Sequence, residues 1–70
     1  MPPKDDRIVA EHILTVLRES REKGLRFRGI KMEMMKKGWM HCDSSLVQNC
    51  HWLVEQDKIV KNGPIYIVKN

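Results

Sequence analysis

The chain has 70 residues, enough for one small domain and too few for two. A composition of 41% hydrophobic and 31% charged residues predicts a folded core and excludes a disordered or membrane protein. The formal net charge of +4 favours a polyanionic partner such as nucleic acid. Two cysteines are too few for a disulfide scaffold and the start of the chain is polar, so we expect reduced thiols and a cytoplasmic location.

The first predicted helix covers residues 5–23. Asp5 and Asp6 favour a helix start, because carboxylates stabilise the positive end of a helix. Apolar residues then recur at helical spacing from Val9 to Leu17. Gly24 can adopt the left-handed conformation that ends a helix, so we expect the helix to stop just before it.

The second predicted helix covers residues 30–37. Before it, Leu25–Arg28 alternates apolar and basic residues, which favours a short edge strand. The spacing of Ile30 and Met34 predicts two helical turns, and Gly38 ends them.

The third predicted helix covers residues 44–56. Ser45 and Gln48 match the capping-box pattern, in which two free backbone amides are bonded reciprocally at a helix start. The residues expected on its inward face are Leu46, Cys50, Leu53 and Val54. Residues 43–56 include no lysine or arginine, so this helix is formally acidic.

A change of period at the end of the chain predicts a β-hairpin over residues 58–68. Asn62 and Gly63 favour a tight turn, and β-branched or aromatic residues flank them. Pro64 cannot donate to the ladder, which suggests a turn slightly longer than two residues. We therefore expect one domain over residues 5–69, mainly α with a small β-hairpin (an α+β class), after a disordered tail at residues 1–4.

The order of three helices followed by a hairpin resembles the winged-helix (winged helix-turn-helix) superfamily. The resemblance depends on the segment Leu53–Val60, where a leucine on the third helix, a polar turn and an aliphatic pair follow one another, and on Tyr66 in the returning strand. It implies a three-helix winged-helix domain that binds double-stranded DNA as a transcriptional or replication regulator. The third helix would then enter the major groove and the hairpin would lie against neighbouring phosphates.

The resemblance also implies which residues contact DNA. The expected base contacts are Ser44, Ser45, Val47, Gln48, His51 and Trp52. The expected phosphate contacts are Arg26, Arg28, Lys31, Lys36, Lys58 and Lys61. Arg21 to Lys37 holds seven basic residues against two acidic ones, so phosphate binding is expected there more than base readout by the acidic third helix.

The apolar stripe of the first helix is wider than one small core needs. We therefore expect a homodimer whose contact includes Ala10, Leu14 and Leu17. An adaptor that binds another protein is the alternative function, using Trp52, the methionines and the acidic third helix. Trp52 is otherwise expected to pack against the hairpin or the first helix.

Four methionines cluster in the middle of the chain, and they are expected to fill the core. They are Met32, Met34, Met35 and Met40. A zinc site made of the pairs His41–Cys42 and Cys50–His51 is not expected, because Cys50 and His51 point about 100° apart on one helix. No metal, no cofactor and no enzymatic activity are predicted, since no nucleophile with a base and no phosphate-binding loop is found.

Overall fold

The computed structural model describes residues 7–69. These residues form a mainly helical domain with a small three-stranded antiparallel sheet, which confirms the predicted α+β class. The predicted tail at residues 1–4 and the helix start at Asp5 and Asp6 lie outside the described residues. The elements are α1 (Arg7–Ser20), a short 3₁₀ helix (Arg21–Lys23), β1 (Leu25–Arg26), α2 (Phe27–Lys36), α3 (Asp43–Glu55), β2 (Ile59–Asn62) and β3 (Ile65–Val68).

Helix α1 is the central element of the core. Its buried residues are Val9, Ala10, Ile13, Leu14, Val16 and Leu17. They occupy two adjacent rows of the helix because α1 packs against α2, α3 and β3 at once. Most of the wide stripe is therefore covered within one chain, although Ile8 of the same helix stays exposed. Ala10, Leu14 and Leu17 are each no more than 7% exposed.

Strand β1 is shorter than predicted and α2 begins earlier. Leu25 and Arg26 pair with Tyr66 and Ile65 of β3, and the chain turns into helix at Phe27, three residues before the predicted start. The sheet order is β1-β3-β2, so β1 is an edge strand, as predicted. Arg26 is both the last residue of β1 and the N-cap of α2. Its backbone is extended, as strand pairing requires and as is usual for an N-cap residue.

Helix α3 begins without the predicted capping box. Cys42 is the N-cap residue and makes no side-chain capping bond, and its carbonyl oxygen accepts from the Leu46 amide at 3.1 Å. Ser45 is already the third residue of the helix, so the capping-box prediction is wrong. Asp43 in the first turn supplies a negative charge that stabilises the helix amino end.

The buried face of α3 differs from the prediction at one position. Leu46, Cys50 and Leu53 are buried as predicted, whereas Val54 is only half-buried and Asn49 takes the remaining core position. The Asn49 Nδ2 donates to the Ser45 carbonyl at 2.8 Å, and within residues 7–69 its Oδ1 has no hydrogen-bond partner. Sequence reasoning missed Asn49 because a polar residue is usually assigned to the solvent side of a helix.

The hairpin has a two-residue turn. Asn62 pairs with Ile65, which leaves Gly63 and Pro64 as the loop, so the prediction of a longer turn is wrong. Gly63 has φ of +63°, and proline fixes a negative φ at the next position. This combination is that of a type II′ turn, whose twist matches antiparallel strands and needs no amide from Pro64.

Candidate nucleic-acid interface

The exposed face of α3 brings together four of the six predicted base contacts. Ser44, Val47, Gln48 and His51 are exposed and lie on the side of the helix opposite its buried residues. This polar face carries no basic residue, and His51 lies 3.7 Å from the Glu55 carboxylate one turn later. It can offer hydroxyl, amide and imidazole groups to a partner but little positive charge.

The other two predicted base contacts lie on the flank of α3. Ser45 and Trp52 are half-buried, and Trp52 lines a groove of about 290 Å³ together with Ala10 and Leu14 of α1. The indole Nε1 of Trp52 is buried without a hydrogen-bond partner among residues 7–69. Trp52 thus lies beside α1, which was one of its predicted neighbours, and not on the exposed face with Gln48.

Arg26 and Arg28 are two of the predicted phosphate contacts that have no acidic partner among the described residues. Both are exposed, at the junction of β1 and α2, and within residues 7–69 neither forms a salt bridge. Lys31 and Lys36 are instead paired. Lys31 Nζ lies 2.7 Å from Asp43 Oδ1, and Lys36 Nζ lies 3.1 Å from Glu33 Oε2.

The Lys31–Asp43 salt bridge joins the side of α2 to the first turn of α3. Arg28 is three residues before Lys31, so the two side chains lie on the same side of α2. Asp43 directly precedes Ser44, the first residue of the exposed α3 face. Arg28, the salt bridge and the amino end of α3 therefore form one continuous surface, and Lys31 offsets the acidic charge at its centre.

The two hairpin lysines do not lie together. Lys58 precedes β2 at the base of the hairpin and lines the groove beside α1, along with Arg7 and Arg18. Lys61 lies near the turn, with its Nζ 5.8 Å from the centre of the Tyr66 ring. Of the two, only Lys61 lies near the tip of the hairpin.

Two exposed cations next to β1 belong to the predicted basic segment but were not among the individual phosphate contacts named from the sequence. Arg21 and Lys23 lie in the 3₁₀ helix, are exposed, and form no salt bridge among residues 7–69. Lys37, by contrast, is bound to Glu19 of α1 at 2.8 Å. The excess of basic residues at positions 21–37 was visible in the sequence. In the structure of residues 7–69, the basic residues of this segment without a salt bridge lie at positions 21–28, because the later lysines form salt bridges with carboxylates.

Three rings connect α1 to the segment before α3. His12 stacks on Trp39 with ring centroids 3.7 Å apart, and its Nδ1 lies 2.8 Å from the Nε2 of His41. Burial lowers the pKa of His12, and the neighbouring His41 lowers it further. These contacts hold the connection between α2 and α3 against α1, and so fix the angle at which α3 presents its exposed face.

The methionines do not behave as a group. Met34 is buried, but Met32, Met35 and Met40 are each at least half exposed. The prediction that all four fill the core is therefore wrong for three of them. Helical spacing located Met34 correctly, but the short α2 has only one side against α1.

The two thiols have opposite environments. Cys42 is exposed, whereas Cys50 is fully buried, and burial raises the pKa of the Cys50 thiol to about 12. A thiolate is the reactive form of cysteine, so Cys50 is protected by both its burial and its protonation at neutral pH.

We expect a thiol reagent such as 5,5′-dithiobis(2-nitrobenzoate) at pH 8 to modify Cys42 quickly and Cys50 only through unfolding. The second equivalent should then appear about 10³-fold or more slowly, because the open state is that rare in a stable domain. Adding urea to unfold the protein should let the second equivalent, from Cys50, react at once. A Cys42→Ser variant is the control, since it should show only the slow phase, and a fast phase in that variant would contradict the burial of Cys50.

Within residues 7–69, no three histidine, cysteine, aspartate or glutamate side chains come close enough to share a metal ion. In the same range, no helix combines the length and apolar character needed to cross a membrane.

Comparisons with protein-family models, with curated proteins and with solved structures find no match to this chain.

Proposed function

We propose that this protein is a winged-helix domain that binds double-stranded DNA and acts as a regulator of transcription or replication. The order helix, strand, helix, helix, hairpin supports the resemblance, as does the two-residue turn that joins β2 to β3. The proposal includes a cytoplasmic location and a homodimer, and it assigns no catalytic step and no cofactor. A dimer contact would use exposed residues such as Ile8, because Ala10, Leu14 and Leu17 are already covered.

The observation that carries the proposal is the surface formed by Arg28, the Lys31–Asp43 salt bridge and the amino end of α3. It combines the guanidinium of Arg28, which is unpaired among the described residues, with the polar face of a helix, an arrangement that suits a DNA-reading helix. Arg26, Arg28 and Lys61 would neutralise phosphates on either side of the groove. Ser44 and Gln48 would meet base edges, and Val47 would touch a thymine methyl group.

In the proposed complex, phosphate contacts supply most of the affinity and base contacts supply little sequence specificity. Helix α3 has no arginine or lysine to bond guanine, which is the commonest specific contact. We therefore expect a modest preference among sequences and a marked dependence on salt.

The test is a fluorescence-anisotropy titration of a random 20-base-pair duplex with the purified protein, at several salt concentrations. Neutralising about three phosphates predicts a slope near −2.7 for log K against log salt, and a loss of about 40-fold in affinity between 50 and 200 mM salt. No binding at 50 mM salt, or an affinity that does not change with salt concentration, would overturn the proposal.

A protein adaptor is the second candidate, and one observation favours it. Met32 and Val47 are each more than half exposed, and Glu55 adds acidic charge to the outer face of α3. A surface with apolar and acidic groups suits a protein partner better than it suits DNA. Failure of the DNA titration, with the fold intact by circular dichroism, is the result that would favour this candidate.

A further inference from the structure

A pocket of about 220 Å³ lies where α2, the following connection and α3 meet. Its lining includes three thioethers and one imidazole, from Met34, Met35, Met40 and His41. No carboxylate lines it. Its donors are therefore soft sulfur and nitrogen atoms, without the oxygen ligands that calcium, magnesium or manganese require.

Two of these thioethers are not used by the core. Met35 is 50% exposed and Met40 is 72% exposed, although both border the same pocket as the buried Met34. The methionine side chain has three rotatable bonds, so an exposed thioether can turn toward a neighbouring donor at little cost. Met40 and His41 are also consecutive in the chain, which places a sulfur and an imidazole nitrogen in the same short connection.

His41 is held in a way that suits a metal ligand. Its Nε2 lies 2.8 Å from His12 Nδ1. When the His41 Nε2–H donates in this bond, the lone pair of His41 Nδ1 is free. Histidines that bind metals commonly donate their second ring N–H to a partner, which fixes the tautomer and the direction of the ring. His12, itself stacked on Trp39, is that partner here.

The one cation at the pocket is already compensated. Lys31 lines the pocket, and its Nζ is 2.7 Å from Asp43 Oδ1, so it forms a neutral pair and does not present an isolated charge to an incoming ion. A monovalent ion also meets less repulsion than a divalent ion in a site that lacks a carboxylate.

We propose that Met35, Met40 and His41 form a binding site for one soft monovalent metal ion, Cu(I), with His12 as a positioning residue. Thioether and imidazole ligands select this ion over hard cations. None of the three proposed ligands is assigned to a phosphate or base contact, although Lys31 borders both the pocket and the proposed DNA surface.

The test is a titration with Ag⁺, a redox-inert ion with the same ligand preference, of full-length protein labelled with ¹³C at the methionine methyl groups. A Cys42→Ser background removes the exposed thiol, which would itself bind the ion. We expect the Met35 and Met40 methyl resonances to shift and saturate at one equivalent, while the Met32 resonance stays in place. Met32 is the internal control because it is similarly exposed on α2 but does not line the pocket.

Matched variants then identify the ligands. Met40→Leu keeps the volume of the side chain and removes the sulfur, so it should weaken Ag⁺ binding by about tenfold or more, whereas Met32→Leu should leave it unchanged. Both substitutions are at exposed positions, and circular dichroism checks that each variant folds. The proposal is overturned if binding disappears in the Cys42→Ser background, if Met32 shifts as much as Met40, or if the two leucine variants bind alike.

The role of His12 is tested with two substitutions. His12→Phe keeps an aromatic ring against Trp39 but removes the acceptor, so it should weaken Ag⁺ binding by about tenfold. His12→Asn places an amide oxygen near the original Nδ1 and should restore most of the affinity. Equal affinity in both variants would show that His12 does not orient His41.

Discussion

Replacing Gly24 with alanine is expected to lower the free energy of unfolding by about 3 kcal/mol or more, because two costs combine. Gly24 has φ of +71° and ψ of 180°, a region that is almost restricted to glycine. An added Cβ would also lie 2.6 Å from the Tyr66 carbonyl oxygen and 2.6 Å from Ile65 Cγ2. The carbonyl belongs to the strand that pairs with β1, so it cannot move without breaking the sheet.

The matched control is Gly38→Ala. Gly38 also has a positive φ, +80°, but nothing lies within 4 Å of the added Cβ. Gly38→Ala should therefore lower the free energy of unfolding by the backbone strain alone, about 1 kcal/mol. Urea unfolding of the three proteins measures both values. A domain of this length has a total stability of roughly 4 to 10 kcal/mol, so Gly24→Ala should populate the unfolded state measurably. Equal losses in the two variants would mean that β3 does not approach Gly24 as closely as the structure has it.

Removing the charges of Arg26 and Arg28 is expected to weaken binding to random duplex DNA by about tenfold or more at 50 mM salt, and to lower the salt slope by about two. Both guanidinium groups are exposed and unpaired among the described residues, so their full charge is available to phosphates. The effect should be nearly the same for every DNA sequence, because phosphate contacts carry no sequence information. Anisotropy titrations of the Arg26→Ala, Arg28→Ala double variant provide the measurement.

The control is the double variant Arg7→Ala, Arg18→Ala. These two arginines are also exposed, but they lie on α1 beside the Trp52 groove and away from the exposed face of α3. Both double variants lose the same net charge. A difference in their DNA affinity therefore reflects where the removed charges lie and not the change in total charge. If the α1 variant loses affinity equally, DNA binding is either nonspecific or uses a different surface. If neither variant weakens binding, the phosphate assignment of Arg26 and Arg28 is wrong.

All three α-helices and the hairpin could be predicted because each is encoded locally, although α2 begins three residues earlier than expected. The three- and four-residue spacing from Val9 to Leu17 identified α1 within the described residues, and the change to a period of two at Ile59 identified the hairpin. On α3 the same reasoning placed Leu46, Cys50 and Leu53 correctly in the core. Periodicity succeeds in these cases because the spacing of the apolar residues defines a single apolar face, and that face is the one buried in the core.

The candidate interface was predictable only in part. The charge surplus of residues 21–37 is a property of composition, so the sequence alone drew attention to that segment. Which cations remain unpaired depends on carboxylates distant in the chain, as with Lys37 and Glu19 or Lys31 and Asp43. The pairing of His12 with His41 joins residues 29 positions apart and had no signal in the sequence.

The sequence by itself determined the class of the fold, the positions of its main elements and the location of its basic segment, because local periodicity and composition control these properties. The tertiary structure decided which faces are covered. It buried both apolar rows of α1, left Met35 and Met40 exposed, and placed Asn49 in the core. Such outcomes depend on how many neighbours each helix has. Helix α1 packs against α2, α3 and β3, whereas α2 packs mainly against α1 and β1. The number of neighbours is a property of the whole chain, which no local pattern contains.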